Sequence, residues 1–204
     1  MIGSDYAWRR KELKLIKDQI PSNPSPKQNA SLRFSVPILY AHWEGFVKNS
    51  CELYLEFVAK KHLKHNELKP QFVALSLSKK LGDLDIKHIE QKTKAVEFLI
   101  SEIDKNSNMQ TKNVIQTKSN LRYSVFEEIL FVIGIDESKF SHKKSLINDL
   151  VDSRNHIAHG EYLRVEYDAY HLMHDDVQVL MEQLKTEIEN IATLEEYKLK
   201  KVSA

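Results

Sequence analysis

Ser153-Arg154-Asn155-His156-Ile157-Ala158-His159-Gly160 closes a segment in which apolar residues fall at 146, 147, 150, 151, 157 and 158. That spacing belongs to an amphipathic helix, and a glycine at 160 is where such a helix would stop. The stretch therefore feeds a core while placing an arginine, two histidines and an amide in its last turns. Polar chemistry in a core-forming helix is costly unless it has partners or a task.

Working outward, Leu121–Ile133 is strongly apolar and reads as a central core helix stopped at Gly134, and Ser141 is placed to cap the helix that follows. After Gly160 a long last helix is expected from about Glu166 into the charged tail, with Tyr170, Met173, Val177, Leu180, Leu184, Ile188 and Ile191 at core spacing. Toward the N-terminus, Ser4 or Asp5 can cap a first helix to about Ile20, and the proline-rich connection Pro21–Pro26 ends it. A long second helix is expected from about Asn29 to His65, with Pro37 as a kink. Its core stripe is Leu32, Val36, Leu39, Trp43, Phe46, Val47, Tyr54, Phe57 and Val58. Pro70 opens a shorter helix closed by Gly82, and another runs from about Ile86 to Ile103 with Ile89, Val96, Leu99 and Ile100. Residues 104–120 are polar and poor in apolar anchors, which marks a long mobile loop.

The chain of 204 residues holds only five glycines and five prolines, and no Asn-Gly or Asp-Gly turn joins alternating strands. The expected fold is therefore all-α: one domain over residues 1–204, a bundle of six to seven helices with long second and last members. Hydrophobic residues make up 42% and charged residues 29%, the balance of a globular protein rather than a disordered one. Lys+Arg and Asp+Glu nearly cancel, 30 against 29, so the total charge does not mark a nucleic-acid coat protein, although a local basic patch stays open. A lone cysteine, Cys51, cannot form an intramolecular disulfide; it fits a reducing cytoplasm and a role as a small buried hydrophobe. Met1–Arg10 lacks a signal-peptide stretch, and the longest apolar run, Ile129–Ile135, is too short to span a bilayer. A soluble cytoplasmic protein with no membrane association is the expectation.

On a helical wheel the apolar residues of 141–159 occupy an arc of about 140°. Asp152, Asn155, His156 and His159 lie on the opposite side, and Arg154 points near the middle of the apolar arc. A guanidinium there requires pairing. A carboxylate from a facing helix, a phosphate, a second subunit or a reach to solvent would each satisfy it. His159 precedes the glycine in the last turn. Cations are favoured at a helix C-terminus, and a histidine there suits acid–base work near neutral pH. It equally suits a purely structural role as a favourable terminal charge. His156 either lines the same cleft or is a solvated surface residue.

The run Arg154-Asn155-His156-Ile157-Ala158-His159 resembles the R-x-x-x-x-H signature of the HEPN superfamily (higher eukaryotes and prokaryotes nucleotide-binding domain). The match includes the polar residue after the arginine, and Gly160 and a long closing helix follow it. Pro37-Ile38-Leu39-Tyr40-Ala41-His42-Trp43-Glu44-Gly45-Phe46-Val47-Lys48 is similar to the early helix of HEPN families linked to bacterial defence, where an acidic residue faces the motif; Glu44 is the candidate here. The resemblance covers the chain from about residue 30 onward. It implies a metal-independent endoribonuclease with no cofactor, acting as a homodimer in which two motifs form one composite active site. A toxin or phage-defence role follows from the same resemblance. Arg154 would neutralise the phosphorane, His159 would move the proton, and Asn155 would position phosphate or imidazole, with Glu44 and His156 in support. Attack by the ribose 2′-OH would leave a 2′,3′-cyclic phosphate and restrict cleavage to RNA. A neighbouring antitoxin or regulatory protein is a further expected partner.

Two other readings stay open. One is a HEPN-like dimeric scaffold that binds RNA, nucleotide or a partner protein without turnover. The other is a metalloenzyme built on His171 and His174 beside Asp175 and Asp176, or on His62 and His65, although no pair has enough companions for a tetrahedral site. Neither a phosphate-cradling glycine loop nor a nucleophile elbow is present.

Overall fold

A computed structural model describes residues 1–82 and 88–200. In chain order its helices are α1 (Ile2–Asp18), α2 (Pro26–Ala59), α3 (Pro70–Gly82), α4 (Ile89–Glu102), α5 (Tyr123–Ile133), α6 (Lys144–Ala158) and α7 (Tyr167–Thr193), with 3-10 turns at His65–Glu67 and Glu137–Lys143. The described residues hold no strand, only isolated bridges at Lys64–Asn106 and Leu68–Lys198. The expected all-α bundle is what forms.

Helix α2 is the hub, and α1, α5, α6 and α7 all pack against it. It starts three residues earlier than expected, because the Ser25 hydroxyl accepts the Gln28 N–H at 3.1 Å and Pro26 follows it at the helix start, where a missing N–H costs nothing. The helix runs on through Pro37 and ends at Ala59, short of His65; His62 already has φ +49. Leu32, Val36, Leu39, Trp43, Phe46, Val47, Tyr54 and Val58 are buried as the stripe requires. Phe57 is the exception at 37% exposed, packing edge-on to Tyr197 with the Lys61 ammonium over its ring. Cys51 is fully buried, and burial pushes its thiol up, away from nucleophilic use.

Opposite α2, α7 buries Tyr170, Val177, Leu180, Leu184, Ile188 and Ile191. Helix α5 buries Phe126, Ile129, Leu130 and Ile133 and stops at Gly134, whose φ of +79° only glycine adopts cheaply. Phe126 stands edge-on to both Trp43 and Phe140, at 5.2 and 5.3 Å between ring centroids. No helix among the described residues is long and apolar enough to cross a membrane.

Two caps differ from expectation. Ser4 lies inside α1 and its hydroxyl donates to the Met1 carbonyl, while Ser141 lies inside the 3-10 turn and donates to the Ser138 carbonyl. Both hydroxyls bond backward to a carbonyl three residues earlier, so neither serves an open helix N–H. The expected start of the fourth helix at Ile86 lies outside the described residues. Its apolar residues also differ from a core stripe: Ile89 is 76% and Ile100 67% exposed, and only Ala95 among its hydrophobics is buried. Among the described residues that helix packs only weakly against the bundle, which leaves Ile89 and Ile100 exposed.

The 104–120 stretch, expected as a mobile loop, makes specific contacts with its neighbours. Ser107 N–H donates to the Leu63 carbonyl at 2.8 Å and Asn108 N–H to the Ser76 hydroxyl at 3.0 Å. Of its three apolar residues, Met109 and Ile115 are buried and Val114 is half-buried. His65 is buried beneath: Nδ1–H donates to the Glu102 carbonyl at 2.7 Å, and Nε2 accepts from the Ser76 hydroxyl at 2.9 Å.

Candidate active site

Helix α6 turns Ile147, Leu150 and Val151 into the core and carries the polar run to its open end. The end is tightly made. His159 N–H reaches the Asn155 carbonyl at 2.9 Å, Gly160 N–H the Ile157 carbonyl at 3.1 Å, and Glu161 N–H the His156 carbonyl at 2.9 Å. With Gly160 at φ +79° this is a Schellman turn, which satisfies carbonyls that a helix end otherwise leaves open. The final turn of α6 is therefore regular, and on a regular helix residues five apart, such as Arg154 and His159, diverge by about 140°. From α2, Arg33 secures the turn by donating to the Glu161 carbonyl at 2.9 Å, with its guanidinium 5.4 Å from the Tyr162 ring centre.

Among the described residues Arg154 is paired with no carboxylate, the first of the partners expected for it. Its guanidinium carbon sits 4.2 Å from the centre of the Tyr40 ring. Nη2 donates to the Ser119 carbonyl at 2.7 Å and Nη1 to Asn155 Oδ1 at 2.9 Å. Asn155 Nδ2 in turn donates to Asn120 Oδ1 at 3.2 Å. The charge is thus met by a π face and two amide-type oxygens instead of a carboxylate. The half-buried side chain keeps the rest of its donor fork for something else.

Tyr40 is itself buried and accepts the Leu121 N–H at 2.8 Å through its hydroxyl. Burial pushes that hydroxyl above its ordinary value, Glu44 adding to the effect and the Leu121 N–H opposing it, so it stays neutral. Immediately before Asn120, Lys118 and Ser119 both adopt left-handed backbone, φ +53° and +55°. Two non-glycine residues in that region cost on the order of 1–2 kcal/mol each, and such strain persists where surrounding contacts hold it.

The remaining expected site residues divide. His159 is exposed, and no partner is described for its ring. His156 is exposed too; its Nδ1–H donates to the Asp152 carbonyl at 2.8 Å, and Nε2 lies 3.5 Å from the Glu161 carboxylate. Asp152 meanwhile pairs with Arg122. Glu44 sits half-buried one turn beyond Tyr40 on the same side of α2, with no described hydrogen bond or ion pair to Arg154. The fold thus joins Arg154 with Asn155, sets Glu44 nearby without contact, and leaves His159 and His156 at the surface. Sequence reasoning missed Tyr40, Ser119 and Asn120. Tyr40 was within reach, since it precedes Glu44 by four residues and so shares its face; the loop residues carry no periodic signal.

In each histidine pair considered for metal, one member has both ring nitrogens engaged by protein groups. His65 is held as described above. Both ring nitrogens of buried His174 are engaged, by Asp175 at 2.8 Å and by the Leu13 carbonyl at 3.3 Å. His171 Nδ1–H donates to the Tyr167 carbonyl.

Comparison with known proteins gives one finding. The family model described as RiboL-PSP-HEPN matches residues 4–190, which takes in α1 as well as the motif. No match was found among curated proteins or among solved structures.

Proposed function

The chain belongs to the RiboL-PSP-HEPN family, and from that premise we propose that it is a metal-independent endoribonuclease. The observation that carries the reading is Arg154. Its guanidinium is held by Tyr40, Ser119 and Asn155 at the end of α6, five residues before an exposed histidine. Planar guanidinium donors match phosphate oxygens, and they count most for charge that grows in the transition state.

The reaction is in-line attack by a ribose 2′-oxygen on its adjacent phosphorus. The new O–P bond closes a 2′,3′-cyclic phosphate while the bond to the 5′-oxygen breaks. One histidine takes the 2′-OH proton, and a second gives a proton to the departing 5′-oxygen. Arg154 neutralises the equatorial oxygens. Asn155, bonded to Arg154 and Asn120, holds the guanidinium. Because α6 keeps a regular final turn, Arg154 and His159 point away from each other in one chain. Two copies related by a two-fold axis would supply both groups to one cleft. Glu44 and His156 border that cleft. The enzyme acts on cellular RNA in the cytoplasm, in a toxin or phage-defence role restrained by a partner protein.

The test is incubation of purified protein with end-labelled tRNA and mRNA in the presence of EDTA. Cleavage with cyclic-phosphate and 5′-OH ends is expected, blocked by a 2′-deoxy substitution at the scissile nucleotide. It is also expected to be abolished in Arg154→Ala and His159→Ala. Full activity in either variant refutes the assignment. A second reading, a non-catalytic dimeric module for RNA, nucleotide or a partner protein, draws on the fact that Arg154 already has partners inside its own chain. Binding of RNA with no cleavage would favour it.

A further inference from the structure

We propose that Tyr40 is the positioning residue for Arg154, so that the aromatic face of α2, and not an acidic residue, aims the guanidinium at its phosphate; this rests on the nuclease reading above. Three observations converge on it. The ring is buried, at 2% exposed, and its face lies 4.2 Å from the carbon of a guanidinium that α6 sends toward the core. Its hydroxyl holds the Leu121 N–H at 2.8 Å, and this fixes the chain just after Ser119 and Asn120, the two residues that bind Arg154 and Asn155 from the other side. The Lys118–Ser119 backbone is strained, so it needs fixed neighbours to stay in place. One tyrosine thus supplies the floor beneath the guanidinium and the anchor for the loop that flanks it.

A π face suits this duty better than a carboxylate. A carboxylate paired with Arg154 would neutralise the charge that the phosphorane needs and would occupy two donors of the fork. A ring attracts the cation through its quadrupole without taking a donor, so among the described residues only the N–H groups bonded to Asn155 and Ser119 are spent within the chain. Glu44 lies one turn further on α2, with no described hydrogen bond or ion pair to Arg154.

The experiment compares Tyr40→Phe, which keeps the ring, with a series in which phenylalanine at position 40 is progressively fluorinated. Fluorine drains the ring's quadrupole at nearly constant shape, so fold and packing are preserved and thermal unfolding serves as the control. Tyr40→Phe keeps the ring but leaves the Leu121 N–H without its acceptor, so it should lower kcat by about 3- to 10-fold and serves as the reference for the fluorinated series. Across the fluorinated series kcat should fall by about 3- to 30-fold with little change in KM, because a misaimed guanidinium fails chiefly in the transition state. A flat kcat series overturns the proposal, as does a fall confined to KM.

A second readout does not depend on turnover. Arg154 side-chain proton resonances, identified by their loss in Arg154→Lys, should be shifted by the ring current and should move toward ordinary positions in Tyr40→Leu. Unshifted resonances in the native protein overturn the proposal. If the native protein cleaves no RNA while those shifts are present, the nuclease reading fails and the ring–guanidinium contact stands by itself.

Discussion

Two glycines with the same backbone angle give a controlled measurement of what a Cβ costs in this fold. Gly134 ends α5 and Gly160 ends α6, both at φ +79°. An L-residue in that region pays about 1–2 kcal/mol in steric strain. At Gly160 the added methyl would meet nothing within 4 Å, so Gly160→Ala should cost about 1 kcal/mol from backbone strain alone. At Gly134 it would stand 2.6 Å from Gln71 Nε2 and 3.6 Å from Phe72 Cζ. The phenyl distance is ordinary contact, but Gln71 must swing aside. Gln71 is the end of a flexible side chain, so the extra cost is small and the total about 2 kcal/mol. Denaturant unfolding with unchanged slope would give these differences directly. In thermal scans they correspond to about 3 °C and 6 °C for a chain of this size. Asparagine tolerates left-handed backbone, so Gly160→Asn should recover part of the loss. A Gly160→Ala protein as stable as the native one, or a Gly134→Ala protein no worse than Gly160→Ala, would refute the reasoning.

Further predictions concern charge and polar burial. Burial holds the His42 imidazole below its ordinary value of 6.5 despite the opposing carboxylates of Glu12 and Asp5, and Arg9 adds to the depression. The unfolded chain therefore binds the proton more readily. The contribution is complete above about pH 6.5 and is lost as pH falls through and below that value; His42→Gln should flatten urea-measured stability between pH 7.5 and 5.5. His159→Ala should leave unfolding unchanged to within about 0.5 kcal/mol, because the side chain is exposed and bonds nothing described. Arg154→Ala should cost about 1–2 kcal/mol by losing the Tyr40 and Ser119 contacts, so loss of activity in His159→Ala is the cleaner test of chemistry. His65→Leu should cost about 2 kcal/mol by stranding the Glu102 carbonyl and the Ser76 hydroxyl, with faster amide exchange at Asn108 as the local sign.

What could be read from the chain and what could not divide along the range of the interactions. The α5 core and its stop at Gly134 are local: an apolar run and one glycine suffice. The α2 stripe from Leu32 to Val58 follows from helical period, and the all-α fold from the scarcity of turns. Phe57 and the apolar residues of α4 show the limit, because periodicity says which face is apolar but not whether anything lies against it. Ser4 and Ser141 show another, since a serine bonds forward or backward according to backbone it does not itself determine. At the candidate site the spacing of Arg154 and His159 was plain, and so was the need for a partner to the arginine. That the partner is Tyr40, with Ser119 and Asn120 beside it, depends on contacts reaching across 35 positions and more.

The pairing of α2 with α7 also governs when the molecule can exist. Their shared interface is the largest in the bundle, and α1 joins it through the His174–Leu13 contact, which spans 161 positions. The closing clasp, from Lys69 N–H to the Tyr197 carbonyl and from Leu199 N–H to the Glu67 carbonyl, waits for residues near 199. At ordinary synthesis rates of about 5–20 residues per second, the apolar stripe of α2 stays uncovered for on the order of 10 s or longer on the ribosome. Once residue 160 has been made, a nascent chain carries Arg154 and His159 but not yet the α7 that completes the bundle. The site therefore cannot be fully assembled until residues near 199 have been made, and until then the stripe of α2 is apolar surface of the kind a chaperone engages.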